Sequence, residues 1–173
     1  ADTCLLGSEF YIEHQDTMRT VEVLGFNDER GKESGLHIGT GICAVDLMGG
    51  DPVLLRVNEG VVMTSGKSLL SCNQLRSFGT QVHDTPIIYG GLQRLILHNG
   101  TCLPLNYQGA LTTLVVRKPT PNKLATIKPI NITSPVPWDP HQPYLVADAS
   151  IDHDGLADPP DLDQGLSWQC YDC

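Results

Sequence analysis

Residues 69–79 read Leu-Leu-Ser-Cys-Asn-Gln-Leu-Arg-Ser-Phe-Gly and predict a short helix with its own start and stop signals. Ser71 and Gln74 have the spacing of a capping box, in which the hydroxyl accepts from a backbone N–H and the amide reaches back to the cap. Gly79 can adopt the left-handed conformation that ends a helix. Extended segments are predicted on both sides, so a strand, a loop, a short helix and a further strand should meet around the two leucines.

The rest of the first 119 residues predicts short β-strands joined by turns. Residues 19–24 and 36–47 are expected to pair as a hairpin with a polar tip, preceded by a polar loop or edge at 9–16. Residues 53–57 and 60–63 are expected to be two further strands. Turn signals that contain glycine stand at 48–51, 89–91 and 98–100, and short strands at this spacing indicate an all-β domain.

Four segments share their order and motifs with one known family. They are Ala-Asp-Thr-Cys-Leu-Leu-Gly at 1–7, Leu-His-Ile-Gly-Thr-Gly at 36–41, Arg-Val-Asn-Glu-Gly-Val-Val at 56–62 and the Leu-Leu-Ser-x-x-Gln-Leu opening of 69–79. Together they resemble the retropepsin-like aspartic protease domain of copia-type retrotransposon Pol polyproteins, in the versions found in algal and diatom elements. The resemblance is strongest over the first 79 residues and extends more weakly to about residue 119.

The resemblance implies a closed, retropepsin-like β-barrel with one short helix, which acts as a homodimer on extended segments of its own polyprotein. In that family two aspartates share one proton, because two close carboxylates cannot both ionise. Asp2 matches the position after the catalytic triplet, where the carboxylate contacts the substrate backbone. Gly25, Phe26 and Asn27 match the tip of the flap, with Phe26 as its apolar contact. A solvated terminal Asp2 and an ordinary surface hairpin are the alternatives.

The catalytic triplet of this family, Asp-Ser-Gly or Asp-Thr-Gly, does not occur in the 173 residues. The nearest string is Asp84-Thr85-Pro86, in which proline removes the N–H and the flexibility that glycine provides. We therefore assign no catalytic residue and expect a chain that does not cleave peptides as given. The resemblance places the triplet directly before Ala1. A first residue other than Met indicates processing or a longer reading frame.

Charge and proline content divide the chain at residue 119. The net charge is −9, and residues 120–173 hold eight acidic and two basic side chains. An acidic chain without a basic stripe is a poor ligand for nucleic acid, and no apolar run has the length of a membrane span. Nine prolines fall between residues 119 and 160 and interrupt ladders and helices. We therefore predict a β domain at 1–119 and an extended, proline-rich, acidic linker or tail at 120–173.

The cysteines and the glycan acceptors do not decide between a cytoplasmic and an extracellular location. The six cysteines allow three disulfides in 15 connectivities if the protein is secreted, whereas the apolar surroundings of Cys4, Cys43 and Cys72 favour buried free thiols. Two Asn-x-Ser/Thr acceptors begin at Asn99 and Asn131. The expected location is cytoplasmic for a polyprotein product, and extracellular if the cysteines are bridged and the acceptors glycosylated.

Two motifs near the C-terminus are incomplete as metal or redox sites. Residues 150–161 partly imitate a calcium loop, but Ser150 replaces the first Asp and two prolines prevent the exit helix. Cys170 and Cys173 have the spacing of half a zinc site, without a second pair at a suitable distance. The sequence therefore predicts no metal and no cofactor, and the acidic residues indicate a solvated tail.

Two functional hypotheses follow from the sequence. The first is a retrotransposon aspartic endopeptidase domain, catalytically incomplete as given, that binds extended peptide segments or its own polyprotein. The second is a non-enzymatic, secreted or structural β-rich assembly module, in which the proline-rich arm is exchanged between the subunits of a homo-oligomer. Glycans or disulfides favour the second hypothesis, and free thiols with bare asparagines favour the first. Neither has nucleic acid or a membrane as its partner.

Overall fold

The computed structural model of the protein describes residues 2–24, 32–109 and 111–141. The structure is mostly β, as the sequence predicted. In chain order the elements are β1 Leu5–Leu6, β2 Tyr11–Leu24, β3 Lys32–Val45, β4 Val53–Val62, α1 Cys72–Ser77, β5 Gln81–His83, a 3-10 helix Ile87–Tyr89, β6 Arg94–Ile96, β7 Cys102–Pro104, β8 Asn106–Gln108, β9 Leu111–Thr113, α2 Pro121–Thr126 and β10 Ile130–Asn131.

The largest sheet has the strand order β1-β4-β3-β2, and β10 also pairs with β4. The β2–β3 and β3–β4 pairs are antiparallel, which confirms the predicted hairpins, whereas β1 and β10 run parallel to β4. A three-stranded sheet β5-β6-β7 and the two-stranded hairpin β8-β9 complete the described residues. No closed barrel is found among these three sheets, so the predicted barrel closure is corrected to an open arrangement.

Several predicted boundaries differ from the structure. For residues 9–16 a loop or an edge was predicted, and residues 11–16 belong to β2, which is the edge strand of the large sheet. The two strands predicted at 53–57 and 60–63 are one strand, because Glu59 with φ +54° bends β4 without ending it. Residues 87–89 form a 3-10 helix that ends at Gly90, so the hairpin predicted at 89–91 is wrong.

Helix α1 begins and ends where its sequence signals predicted. The Ser71 hydroxyl accepts from the backbone N–H of Gln74 at 3.2 Å, and Gly79 has φ +86°. The N–H of Gly79 donates to the Arg76 carbonyl, and the N–H of Thr80 donates to the Leu75 carbonyl. These two hydrogen bonds form a Schellman motif. The Gln74 amide does not reach back to the cap; it bonds to other parts of the chain, described below.

The extended linker predicted from residue 120 is wrong for residues 121–131. Residues 121–126 form a second helix, and residues 130–131 add a strand to β4. Helix α2 has a signal of its own, since the Thr120 hydroxyl caps it and Pro121 stands in its first turn. Residues 142–173, which include the predicted calcium-like and Cys-x-x-Cys motifs, lie outside the described residues.

One aliphatic core joins the large sheet, α1 and the β5-β6-β7 sheet. Leu6, Leu55, Leu75 and Leu103 are buried in it, together with Ile132 from the segment after β10. Full burial of such a side chain stabilises the fold by roughly 1.5–3 kcal/mol. No helix within residues 2–24, 32–109 and 111–141 is long and apolar enough to cross a membrane.

Candidate functional site

The segment from Asp2 to Leu6 lies between two other parts of the chain. On one side Leu5 exchanges two backbone hydrogen bonds with Leu69, at 2.8 and 3.0 Å. On the other side the N–H of Val61 donates to the Cys4 carbonyl at 2.8 Å, and β1 runs parallel to the end of β4. Leu69 therefore lies directly beside the segment from Asp2 to Leu6.

Gln74 fixes this segment from within. It is 2% exposed, its Oε1 accepts from the Cys4 N–H at 2.9 Å, and its Nε2 donates to the carbonyls of Asn58 and Glu59 at 3.2 and 3.0 Å. One amide thus satisfies three backbone groups of β4 and the N-terminal segment, and buried groups of this kind are costly to leave unpaired. The Cys4 thiol accepts from the Ser71 N–H, and burial raises the pKa of Cys4 to about 12.

A second buried pair, Asn58 and Thr133, attaches the C-terminal segment to β4. The Thr133 hydroxyl accepts from the Asn58 N–H at 2.7 Å and donates to the Asn58 carbonyl at 2.9 Å. The Asn58 side-chain amide donates to the Thr133 carbonyl at 2.9 Å. Thr133 is fully buried and Asn58 is 6% exposed, so water does not replace these bonds.

Glu59 forms an ion pair at the edge of this network. Arg19 donates to both carboxylate oxygens, at 3.0 and 2.7 Å, in a bidentate arrangement. This bonding raises the pKa of Arg19 above its ordinary value. The backbone N–H of Trp138 donates to the same carboxylate at 3.2 Å. The left-handed backbone of Glu59 costs roughly 1 kcal/mol, and its carbonyl is held by Gln74.

Asp2 is exposed at the end of the segment, and its backbone takes part in the network. Its carbonyl accepts from the Ser71 hydroxyl at 3.2 Å and from the Trp138 indole N–H at 3.0 Å. The candidate site therefore combines Asp2, Glu59 and Trp138 at the surface above a fixed interior. The other predicted site residues, Gly25, Phe26 and Asn27, lie outside the described residues.

Asn58, Thr133 and Glu59 were not predicted as site residues. Thr133 bonds to Asn58 across 75 residues of sequence, and no local sequence pattern predicts a pair so far apart. One signal was present in β4, where a polar Asn-Glu pair interrupts an otherwise apolar strand between Val57 and Gly60.

An apolar cleft of about 520 Å³ lies apart from this site, since neither Asp2 nor Glu59 lines it. Its walls include Phe10, Leu69, Leu75, Leu114 and Val116. At its rim, Ser68 donates to Glu9 at 2.8 Å and lowers the pKa of that carboxyl below its ordinary value. Most of the residues that line the cleft are apolar, and Glu9 and Asp84 also line it.

The two predicted glycan acceptors differ in access. Asn99 is exposed in the turn between β6 and β7, where its side chain accepts from the Thr101 N–H at 3.1 Å. Asn131 is half-buried in β10, and the hydroxyl of Thr133, which a transferase needs, is buried against Asn58. In the folded protein Asn99 alone of the two presents its acceptor motif.

Four cysteines lie within the described residues and are free thiols. Cys4 and Cys43 are buried, with pKa values raised to about 12 by desolvation, while Cys72 is half-buried and Cys102 exposed. No cluster of three or more His, Cys, Asp or Glu side chains with metal-binding geometry occurs in the part of the chain that the structure describes.

No protein-family model, curated protein or solved structure matches the chain. The retropepsin resemblance therefore remains a prediction from the sequence motifs.

Proposed function

We propose that the chain is a retropepsin-like domain of a retrotransposon Pol polyprotein, which binds extended peptide segments beside Asp2. One observation carries the proposal: the segment after Asp2 is bonded on one side to β4 and on the other to Leu69, in the order that the family motifs require. The interior bonds of Gln74 support it further, because a binding segment is effective only when its own backbone is held in place.

Peptide cleavage by such a domain needs two aspartates that share a proton, one of which activates water. The 173 residues contain no Asp-Ser-Gly or Asp-Thr-Gly. The Glu59 carboxylate at this site is held by Arg19 in a bidentate ion pair. Catalysis would therefore require an aspartate supplied by residues that precede Ala1.

The decisive test is to add that aspartate to the chain and to measure peptide cleavage. We would place Asp-Thr-Gly directly before Ala1 and compare the product with a matched variant that carries Asn-Thr-Gly. The aspartate form is expected to cleave extended peptides as a homodimer, with an acidic pH dependence from the shared proton, and the asparagine form to be inactive. A folded, dimeric aspartate form without cleavage would overturn the proposal, as would an unrelated sequence encoded directly before Ala1.

A second candidate function, the assembly module with an exchanged arm, is favoured by the contacts of residues 130–138. This segment adds β10 to an edge of β4 and reaches Asp2 through Trp138, and a neighbouring copy's segment has the same bonds to offer. Secretory expression would then give an oligomer with a glycan at Asn99, while Asn131 stays bare. Asn99→Gln should remove the glycan. A monomer with free thiols and no glycan contradicts this candidate.

A further inference from the structure

The segment that ends at Trp138 has a firm anchor and a weakly attached tip. At the anchor, Ile132 and Thr133 are fully buried, and the Ile132 N–H donates to the Arg56 carbonyl at 3.0 Å. At the tip, Trp138 is half-buried and makes two hydrogen bonds. Residues 135–137 between them read Pro-Val-Pro and are exposed, and the two prolines restrict the path of this connection.

Both acceptors of Trp138 keep other partners when Trp138 leaves. The Asp2 carbonyl retains the Ser71 hydroxyl, and the Glu59 carboxylate retains both bonds from Arg19. Release of the tip therefore leaves no buried acceptor unpaired, whereas release of Thr133 would leave the buried N–H of Asn58 without a partner. Because local opening follows the regions with fewest buried contacts, the tip opens before the anchor.

We propose that Trp138 is a latch that closes over the Asp2 carbonyl and must open before the backbone N–H of an extended peptide can bond to that carbonyl. The closed latch occupies a hydrogen-bonding position of the Asp2 carbonyl, which an incoming backbone N–H would use. The opening of the latch follows from these contacts alone. The competition with peptide rests on the proposed function, and the two are tested separately.

The opening is measured with the chain's own thiols. Cys4 is completely buried two residues from Asp2, and Cys43 is 1% exposed in β3 with the same raised pKa, so it serves as the internal control. Native protein is pulsed with iodoacetamide, and the modified cysteines are mapped by mass spectrometry. Trp138→Ala removes the indole bond to the Asp2 carbonyl and so loosens the chain that leads to Cys4. It should raise the rate at Cys4 about tenfold, equivalent to about 1.4 kcal/mol, and leave Cys43 unchanged.

Two variants control for the change of side chain. Trp138→Phe keeps an aromatic ring but removes the indole N–H, and should give a smaller increase at Cys4. Val136→Ala alters an exposed side chain of the same segment and should have no effect. An unchanged Cys4 rate in Trp138→Ala, or an equal rise at Cys43 from global unfolding, would overturn the latch.

The competition is measured with a fluorescein-labelled peptide of residues 134–141, Ser-Pro-Val-Pro-Trp-Asp-Pro-His, which carries the latch itself. It should bind Trp138→Ala at least tenfold more tightly than the native chain, and a peptide with alanine in place of its tryptophan should bind more weakly, because only its backbone N–H remains to bond to the Asp2 carbonyl. Equal binding to both proteins would exclude the latch and leave peptide binding in place. No binding to either protein, together with faster Cys4 modification in Trp138→Ala, would leave the latch and exclude peptide binding at this site.

Discussion

Among the side-chain contacts that attach the segment after residue 116 to the large sheet, two groups differ in their chemistry. Near the start of the segment, Arg117 bonds both oxygens of Asp46 at 2.7 and 2.6 Å, and Lys123 lies 2.5 Å from Asp51. The side chains of Arg117, Asp46 and Asp51 are exposed, and that of Lys123 is half-buried. Near the end of the segment, Thr133 and Asn58 share neutral, buried hydrogen bonds. Exposed ion pairs are screened and replaceable by water, whereas buried groups have no alternative partner.

The buried hydrogen bonds of Thr133 and the ion pairs of Arg117 and Lys123 should therefore contribute differently to the stability of the segment after residue 116. The buried attachment belongs to the same interior as Gln74, which fixes the segment from Asp2 to Leu6. The exposed attachment lies at the other end of β4, where α2 covers the face formed by Ala44 and Leu54 through Leu124. Substitutions in the two regions should therefore differ in size, in salt dependence and in pH dependence.

The largest effect is expected from Gln74→Leu. The substitution keeps the volume but leaves the Cys4 N–H and the Glu59 carbonyl without their side-chain partner, while the Asn58 carbonyl keeps only the bond from the Thr133 hydroxyl. Since each buried unpaired group costs about 1–3 kcal/mol, we expect a loss of about 3 kcal/mol or more in the free energy of unfolding, measured in urea. Gln81→Leu, at an exposed position of β5, is the matched control and should change it little.

If Gln74→Leu lowers the free energy of unfolding by less than about 1 kcal/mol, the leucine has found compensating apolar contacts. The buried hydrogen bonds would then matter no more to stability than the ion pairs at the surface.

Thr133→Val tests the buried attachment directly. Valine has the shape of threonine but leaves the backbone N–H of Asn58 unpaired, while the Asn58 carbonyl keeps only the bond from Gln74 at 3.2 Å. We expect a loss of about 2 kcal/mol in the free energy of unfolding. Thr112→Val in β9 makes the same chemical change at a half-buried position and should stay within about 0.5 kcal/mol of the native protein. Equal losses in the two variants would contradict a special role for Thr133.

Local signals and long-range contacts explain what the sequence predicted and what it did not. Ser71 and Gly79 act on their immediate neighbours, so the limits of α1 could be read directly. Gln74 matched the same local pattern, yet its amide bonds to residues 15, 16 and 70 positions away. A capping motif shows that a side chain is polar and well placed; it does not show which partner is nearest in the folded chain.

The segment after residue 119 was misjudged for a related reason. Dense prolines indicated extended chain, but Pro121 stands in the first turn of α2, where its missing N–H is not needed. Pro129 precedes the two-residue strand β10, which bonds to β4 from one edge. Proline positions, rather than proline number, decided the outcome, and the partner that made β10 favourable lies some 75 residues earlier.

On the exposed side, Lys123→Gln should destabilise the protein less than Thr133→Val, and the loss should disappear in 1 M NaCl, where the Debye length is about 3 Å. Lys128→Gln is the control, because Lys128 makes no ion pair with a residue that the structure describes. The measurement is urea unfolding at low and high salt. A loss that persists at 1 M NaCl would mean that the Lys123 stem, rather than its charge, attaches α2.

The pH dependence gives the smallest and most specific test. Hydrogen bonds from Arg117 and Lys123 lower the pKa values of Asp46 and Asp51 below the ordinary 3.8. The unfolded chain then binds these protons more readily than the native chain. The stabilisation from both pairs is therefore complete above about pH 3.8 and is lost as the pH falls through the native pKa values.

Acid should abolish the effect of a variant at the ion pairs and leave the effect of a variant at the buried hydrogen bonds unchanged. Lys123→Gln should lose its effect on the urea midpoint as the pH falls below 3.8, because the native protein loses the same ion pair there. Thr133→Val should cost the same at pH 7 and at pH 3.5, since neither the Thr133 hydroxyl nor the Asn58 amide titrates in this range. A Thr133→Val effect that shrank with acid would place a titrating group at the buried attachment, and the contrast between a neutral interior and a charged surface would fail.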